Sequence, residues 1–187
     1  KLQSQAHPLA WLRETRKFWQ AVPEHLEQTP FGEILLNDLK QWSNFWNGRL
    51  QRAAEEMAAC PAGETAYGAG FLAMSRTMEA LREATDRGWD AVAAVDLAFP
   101  RLKPVRGQEN EYWKTRMQKL KERFQKELKE VMEPFAVTQA EHLEDLRAMA
   151  PAMLALVDLT ADFTESFQQE KVRRNVADFS DQEHYAV

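Results

Sequence analysis

The chain has 187 residues, 44% hydrophobic and 28% charged, with a formal net charge of -5; that is enough apolar material for one globular domain or two small ones and excludes a disordered tail. Seven glycines and eight prolines, with long stretches free of both, fit a turn-rich β-sandwich or a doubly wound sheet poorly and favour long helices. The single cysteine, Cys60, excludes an internal disulfide and a thiolate metal cluster. No run approaches the roughly 20 uninterrupted apolar residues of a membrane span, so the expectation is a soluble, cytoplasmic protein.

Pro8 can open a first helix, with Leu9, Leu12, Trp19 and Val22 near helical spacing, that ends before Pro23. Between Pro23 and Pro30 there is room for about two turns. From Phe31, apolar residues recur at Leu35, Leu39, Trp42, Trp46, Leu50, Ala53 and Met57, always three or four apart, which predicts one long helix closed by Cys60-Pro61-Ala62-Gly63. A partner helix carries Phe71, Met74, Met78 and Leu81 and closes at Arg87-Gly88. Trp89 to Phe99 predicts a short helix, and the Pro- and cation-rich run Phe99 to Gly107 predicts an exposed connection. Trp113, Met117, Leu120, Phe124, Leu128 and Val131 predict a further long helix stopped by Pro134. A shorter one follows with Leu143 and Leu146. Pro151 then predicts the start of the last helix, with Met153, Leu156, Thr160, Phe163 and Phe167, reaching about Asn175. Ser180 to Glu183 has the S-x-x-E spacing of a capping box. The predicted class is all-α, a multi-helix bundle with long antiparallel helices.

Motifs for chemistry are sparse. Tyr67-Gly68-Ala69-Gly70 lacks the Lys of a phosphate-cradling loop and reads instead as close helix packing or a loose N-terminal turn. His7, His25, His142 and His184 are far apart in sequence and fit no metal spacing, so no metal ligand is predicted. Glu141, Glu144 and Asp145 sit where a helix dipole favours negative charge. Neither His142 nor Ser166 has the neighbours that nucleophilic catalysis requires, so no catalytic residue is assigned. Trp19, Trp42, Trp46 and Trp113 lie on the apolar stripes and are expected in the core rather than as base-stacking platforms.

Charge is unevenly placed. Residues 101 to 129 hold ten basic and four acidic residues, whereas 130 to 165 hold one basic and eight acidic. On the helix beginning near Trp113, the apolar seam centres about 20° from that residue, and Arg116, Lys119, Arg123 and Lys126 gather between about 220° and 300°. Lys114 and Lys121 take the other flank, and Arg101, Lys103 and Arg106 extend the block into the preceding connection. A cationic ridge of this kind suits phosphate contacts that carry no sequence information. The competing reading is a solvated face stitched by i,i+4 pairs such as Glu122 with Lys126.

The stretch Leu159-Thr160-Ala161-Asp162-Phe163-Thr164-Glu165-Ser166-Phe167-Gln168-Gln169-Glu170-Lys171, followed by Val176-Ala177-Asp178-Phe179-Ser180-Asp181-Gln182-Glu183-His184-Tyr185, resembles the helix and "DFSDLEH" segment of superfamily 1 DNA helicases of the UvrD/RecB type, closest to the A-subunit family of AddAB-type ATP-dependent helicase/nucleases. Phe99 to Pro104 and the cationic helix behind it resemble the middle of the same insertion more loosely. Gln182 departs from the Leu usual there. The resemblance implies that residues 1–175 form the helical insertion called 1B and that 176–187 return toward a RecA-like motor domain. Asp178, Phe179, Ser180 and Asp181 would then have a structural role at that junction. It further implies a piece of a larger protein acting in double-strand-break end resection and recombinational repair, with ATP and Mg2+ bound elsewhere in the parent. The partners it implies are DNA, the rest of the motor and a second helicase/nuclease subunit. By this reading the piece contacts DNA and supports the motor without being catalytic. The alternative is a helical protein-binding or structural module without DNA contact.

Overall fold

The computed structural model describes residues 8–58, 63–102, 111–178 and 181. Among them are six α-helices and no strand: α1 (Pro8–Gln20), α2 (Pro30–Met57), α3 (Ala69–Thr85), α4 (Trp89–Ala93), α5 (Glu111–Met132) and α6 (Gln139–Arg174). The all-α expectation holds. The chain forms two compact units, one of residues 25–141 and one of residues 1–24 with 142–187.

The 25–141 unit is built on α2. Thr29 starts it as an N-cap: its Oγ1 accepts from the Gly32 amide at 3.0 Å and donates to the Leu26 carbonyl at 2.6 Å, and Pro30 sits in the first turn, where its missing N–H costs nothing. Gly32 is required there because a Cβ would run into the Leu26 carbonyl. Leu36, Leu39, Trp46, Leu50, Ala53 and Met57 are buried, as are Phe71, Met74, Met78 and Leu81 on α3, so both seams read from spacing are core. Phe31 is exposed and Leu36, rather than Leu35, enters the core. Lys40 pairs with Asp86, and Asn47 accepts from Ser75 while donating to Glu79 at 2.8 Å; later positions on α2 thus meet earlier ones on α3, and the two helices run antiparallel.

Helix α3 is preceded by a π-helical turn, Glu64–Gly68. A Cβ on Gly70 would collide with the Leu102 side chain, so the approach at the end of the Tyr67 to Gly70 run is to a residue of the connection rather than to another helix. Gly88 has φ of 103° and faces Glu27, a conformation that favours glycine. The helix expected from Trp89 to Phe99 ends at Ala93. Trp89 is buried against Phe135, ring centroids 4.3 Å apart, and donates to the Val137 carbonyl at 3.1 Å. Helix α5 stops at Met132, and Glu133–Ala136 forms a 3-10 turn around Pro134.

Helix α6, most of which belongs to the second unit, differs from expectation. The two helices expected on either side of Pro151 are one helix of 36 residues that passes through the proline. Pro151 is exposed, and the loss of one backbone hydrogen bond on a solvated face does not stop a helix with this much chain on both sides. The start is fixed by a reciprocal capping box: Glu141 Oε2 accepts from the Thr138 amide at 3.1 Å, and Thr138 Oγ1 accepts from the Glu141 amide at 3.3 Å. Arg16 of α1 meets Asp158 at 2.7 Å.

The end of α6 is a Schellman turn. Asn175 takes φ of 53°, its amide donates to Val172, and the Val176 amide donates to Lys171. The chain then doubles back so that Lys171 Nζ meets Asp181 at 2.7 Å and Asp178 at 3.3 Å. Those two aspartates cap reciprocally: the Asp181 amide donates to Asp178 Oδ1 at 2.9 Å, and the Asp178 amide to Asp181 Oδ2 at 3.0 Å. The Ser180–Glu183 box expected from sequence lies outside the described residues.

Candidate nucleic-acid interface

Helix α5 attaches to α2 through aromatic packing and one carboxylate. Phe124 is buried between Trp42, stacked with centroids 6.0 Å apart, and Trp46, edge-on at 5.2 Å. Glu127 Oε2 accepts from both indole N–H groups, Trp46 at 2.8 Å and Trp42 at 3.2 Å, while Oε1 accepts from Arg123 Nε at 2.7 Å. Burial pushes the Glu127 carboxyl up, but the hydrogen bonds from Arg123, Trp46 and Trp42 outweigh it and hold the group below its ordinary value.

With the seam turned onto α2, one flank of α5 faces a groove of about 710 Å³ between the two helices. Tyr112, Arg116, Lys119 and Arg123 line it from α5, and Arg49, Arg52 and Glu56 from α2. Three members of the ridge read from sequence are therefore brought together on one wall. The groove is not purely cationic. Arg116 pairs with Glu56 across it at 2.8 Å, and that hydrogen bond, reinforced by the charge of Glu56, raises the Arg116 pKa further. Arg123 is committed to Glu127. Arg49, Arg52 and Lys119 have no carboxylate partner among the described residues.

The remaining predicted cations are scattered. Lys126 is exposed and pairs loosely with Glu130 at 3.9 Å, and Lys114 pairs with Glu111 at 3.3 Å. The solvated-face reading thus describes part of α5, though by Arg123–Glu127 and Lys126–Glu130 rather than by Glu122–Lys126. Lys121 is half-buried on the opposite flank and Arg101 is exposed in the connection. Lys103 and Arg106 lie outside the described residues, as do Phe179 and Ser180 of the junction motif.

Sequence reasoning missed Arg49 and Arg52. They follow the α2 seam at helical spacing, but no local signal says which face of α2 meets α5, since that depends on a pairing between residues some 70 positions apart or more, such as Trp46 with Phe124. Among the described residues no three His, Cys, Asp or Glu side chains gather as a metal site requires, and no helix is long and apolar enough to cross a membrane.

No family model matches the chain. It is similar to proteins that carry the name of the A subunit of ATP-dependent helicase/nuclease. It is 31% identical over 140 residues to that of Desulforudis audaxviator, covering 73% of this chain and 11% of the relative. To that of Heliobacterium modesticaldum it is 28% identical over 201 residues, covering 100% and 14%, and to that of Bacillus pumilus 27% identical over 192 residues, covering 98% and 15%. The chain thus spans about one-seventh or less of the length of these relatives.

Proposed function

We propose that these residues form a DNA-contacting accessory region of a larger ATP-dependent helicase/nuclease, the 1B-like helical insertion of its A subunit, and that they support its motor without carrying out catalysis. The carrying observation is the wall of Arg116, Lys119 and Arg123 facing Arg49 and Arg52 across one groove. Clustered cations release counterions from a phosphate backbone and bind it without reading sequence. The names of the similar proteins support the setting. So does the Asp178 and Asp181 turn, which pins the chain back onto Lys171 where residues 176–187 would pass into a RecA-like motor domain.

ATP and Mg2+ would act elsewhere in the larger protein. The residues here do not fit them, for want of a Lys-bearing glycine loop in the sequence and of a gathered carboxylate set among the described residues. Work on DNA ends in repair and recombination, a cytoplasmic setting and partnership with a second helicase/nuclease subunit belong to this same reading.

The test is titration of labelled duplex and single-stranded DNA with the 187-residue chain over a range of salt. Binding of either, with log K falling linearly against log salt, and a flatter slope after Arg116, Lys119 and Arg123 are all changed to Glu, is the expected result. Unchanged affinity in that variant removes the assignment of this surface.

One observation favours a second reading, a protein-docking module: Leu156, Leu159, Phe163 and Phe167 of α6 are all exposed, and contiguous apolar surface on a helix marks an interaction site. Retention of the chain on an immobilised helicase/nuclease of this type, with no DNA binding at low salt, would decide for it.

A further inference from the structure

The groove between α2 and α5 differs from a solvated basic face in three ways. It is concave, with about 710 Å³ of space, inside the range of roughly 300–1,000 Å³ that holds small ligands. One of its cations is incompletely satisfied: Arg49 Nε is buried without a hydrogen-bond partner among the described residues, while the guanidinium lies over the rings of Phe45 and Trp46, at 6.0 and 5.7 Å, and is fixed by them. Tyr112 also lines it and is 64% exposed, its ring set edge-on against Trp113 at 5.2 Å and its hydroxyl accepting from Arg116 Nη1 at 3.5 Å, which sets an exposed aromatic ring beside the cations.

A bound anion would neutralise Arg49, Arg52 and Lys119, the groove cations without a carboxylate partner among the described residues, since Glu56 and Glu111 on the same walls are paired with Arg116 and Lys114. A duplex is too broad to enter a cleft between two helices whose packed axes lie on the order of 10 Å apart; it would touch only the rims. A single strand can lay its backbone along the cations and turn a base onto the tyrosine, the combination by which sequence-tolerant single-strand sites work. We propose that the α2–α5 groove holds a short stretch of one nucleic-acid strand, with phosphates on Arg49, Arg52 and Lys119 and a base stacked on Tyr112. This rests on the DNA-contact reading above and narrows it to single strand.

The test uses the 187-residue chain, a fluorescent oligothymidylate and a hairpin duplex, read by anisotropy at low salt. Expected is tighter binding of the single strand, a loss on the order of tenfold in the Arg52→Glu, Lys119→Glu double variant, and a loss of about fivefold in Tyr112→Ala that Tyr112→Phe does not share, because stacking needs the ring and not the hydroxyl. Lys17→Glu, an exposed residue of α1 that does not line the groove, should leave single-strand affinity within about twofold. Both Tyr112 variants alter an exposed side chain, so they remain informative if the double variant unfolds. Duplex bound as tightly as single strand, with neither groove nor Tyr112 variants altering it, overturns the inference and leaves DNA contact standing. Binding of neither DNA at low salt overturns both.

Discussion

Helices α2 and α6 both carry apolar residues at three-and-four spacing and meet different fates. Along its 28 residues α2 buries nine residues, and its seam is covered by α3 within the same unit. Along its 36 residues α6 buries three, Leu143, Val157 and Lys171, while Leu159 and Phe163 are each 66% exposed and Phe163 stacks on Phe167, 5.8 Å away. An amphipathic pattern states that a face exists; it does not state what covers it. The first helix is satisfied inside its own unit, and the second presents a stripe left uncovered by the described residues.

The buried side of this contrast rests most heavily on Trp46. Its indole is fully buried, touches Trp42, Phe45 and Phe124, and donates to Glu127. Trp46→Ala should destabilise the 25–141 unit by about 3–5 kcal/mol, read from its transition in a denaturant titration. A shift as small as that of an α6 surface change would mean that the aromatic cluster is not the core its burial implies.

Next in size is Glu127→Ala, which strands the buried Trp46 N–H and should cost about 1–3 kcal/mol. Its pH dependence has a definite sign. The folded carboxyl titrates below its unfolded value, so its contribution is fully present above the unfolded pKa and fades as pH falls through the unfolded and then the folded value. Glu127→Gln should therefore flatten the acid limb of stability against pH while leaving the alkaline limb alone. A parallel shift of the whole curve would refute the coupling.

What the sequence made legible was local. The seams of α2, α3 and α5 follow from three-and-four spacing, and Leu50, Met74, Met78 and Phe124 are as buried as that spacing implies. Pro151 is a strong local stop signal that a long solvated helix overrides. The groove was half legible: Arg116, Lys119 and Arg123 share a helix face by arithmetic, but Arg49 and Arg52 join them only through the tertiary pairing of Trp42 and Trp46 with Phe124. The caps were readable and partly missed. Thr138-x-x-Glu141 and Asp178-x-x-Asp181 both fit the reciprocal pattern, and Asp serves at an N-cap as well as Ser does.

A smaller effect is expected at the end of α6. Lys171 is held by Asp181 and Asp178, and the hydrogen bond to Asp181 raises its pKa against the opposing effect of burial, with Asp178 adding to the rise. The pair's contribution is fully present below the unfolded lysine value and is lost as pH rises through the higher folded one. Lys171→Ala should speed amide exchange at Val172 to Val176 without moving the transition of the 25–141 unit. Unchanged exchange there would show that the Schellman turn holds by backbone alone.

The smallest stability effect is expected where the exposed apolar surface is largest. Phe163→Ser on α6 removes a ring with two-thirds of its surface in water and an aromatic neighbour on one face, so it should change stability by no more than about 0.5 kcal/mol. If the stripe docks on another protein surface, the same substitution should weaken that association far more than it weakens folding, because side chains near the centre of an apolar patch carry most of the binding energy. Measuring both on one variant sharpens the contrast with Trp46, whose loss is felt in folding. A Phe163→Ser protein that unfolds readily would instead place that ring in a core, and α6 would then belong with α2 rather than opposite it.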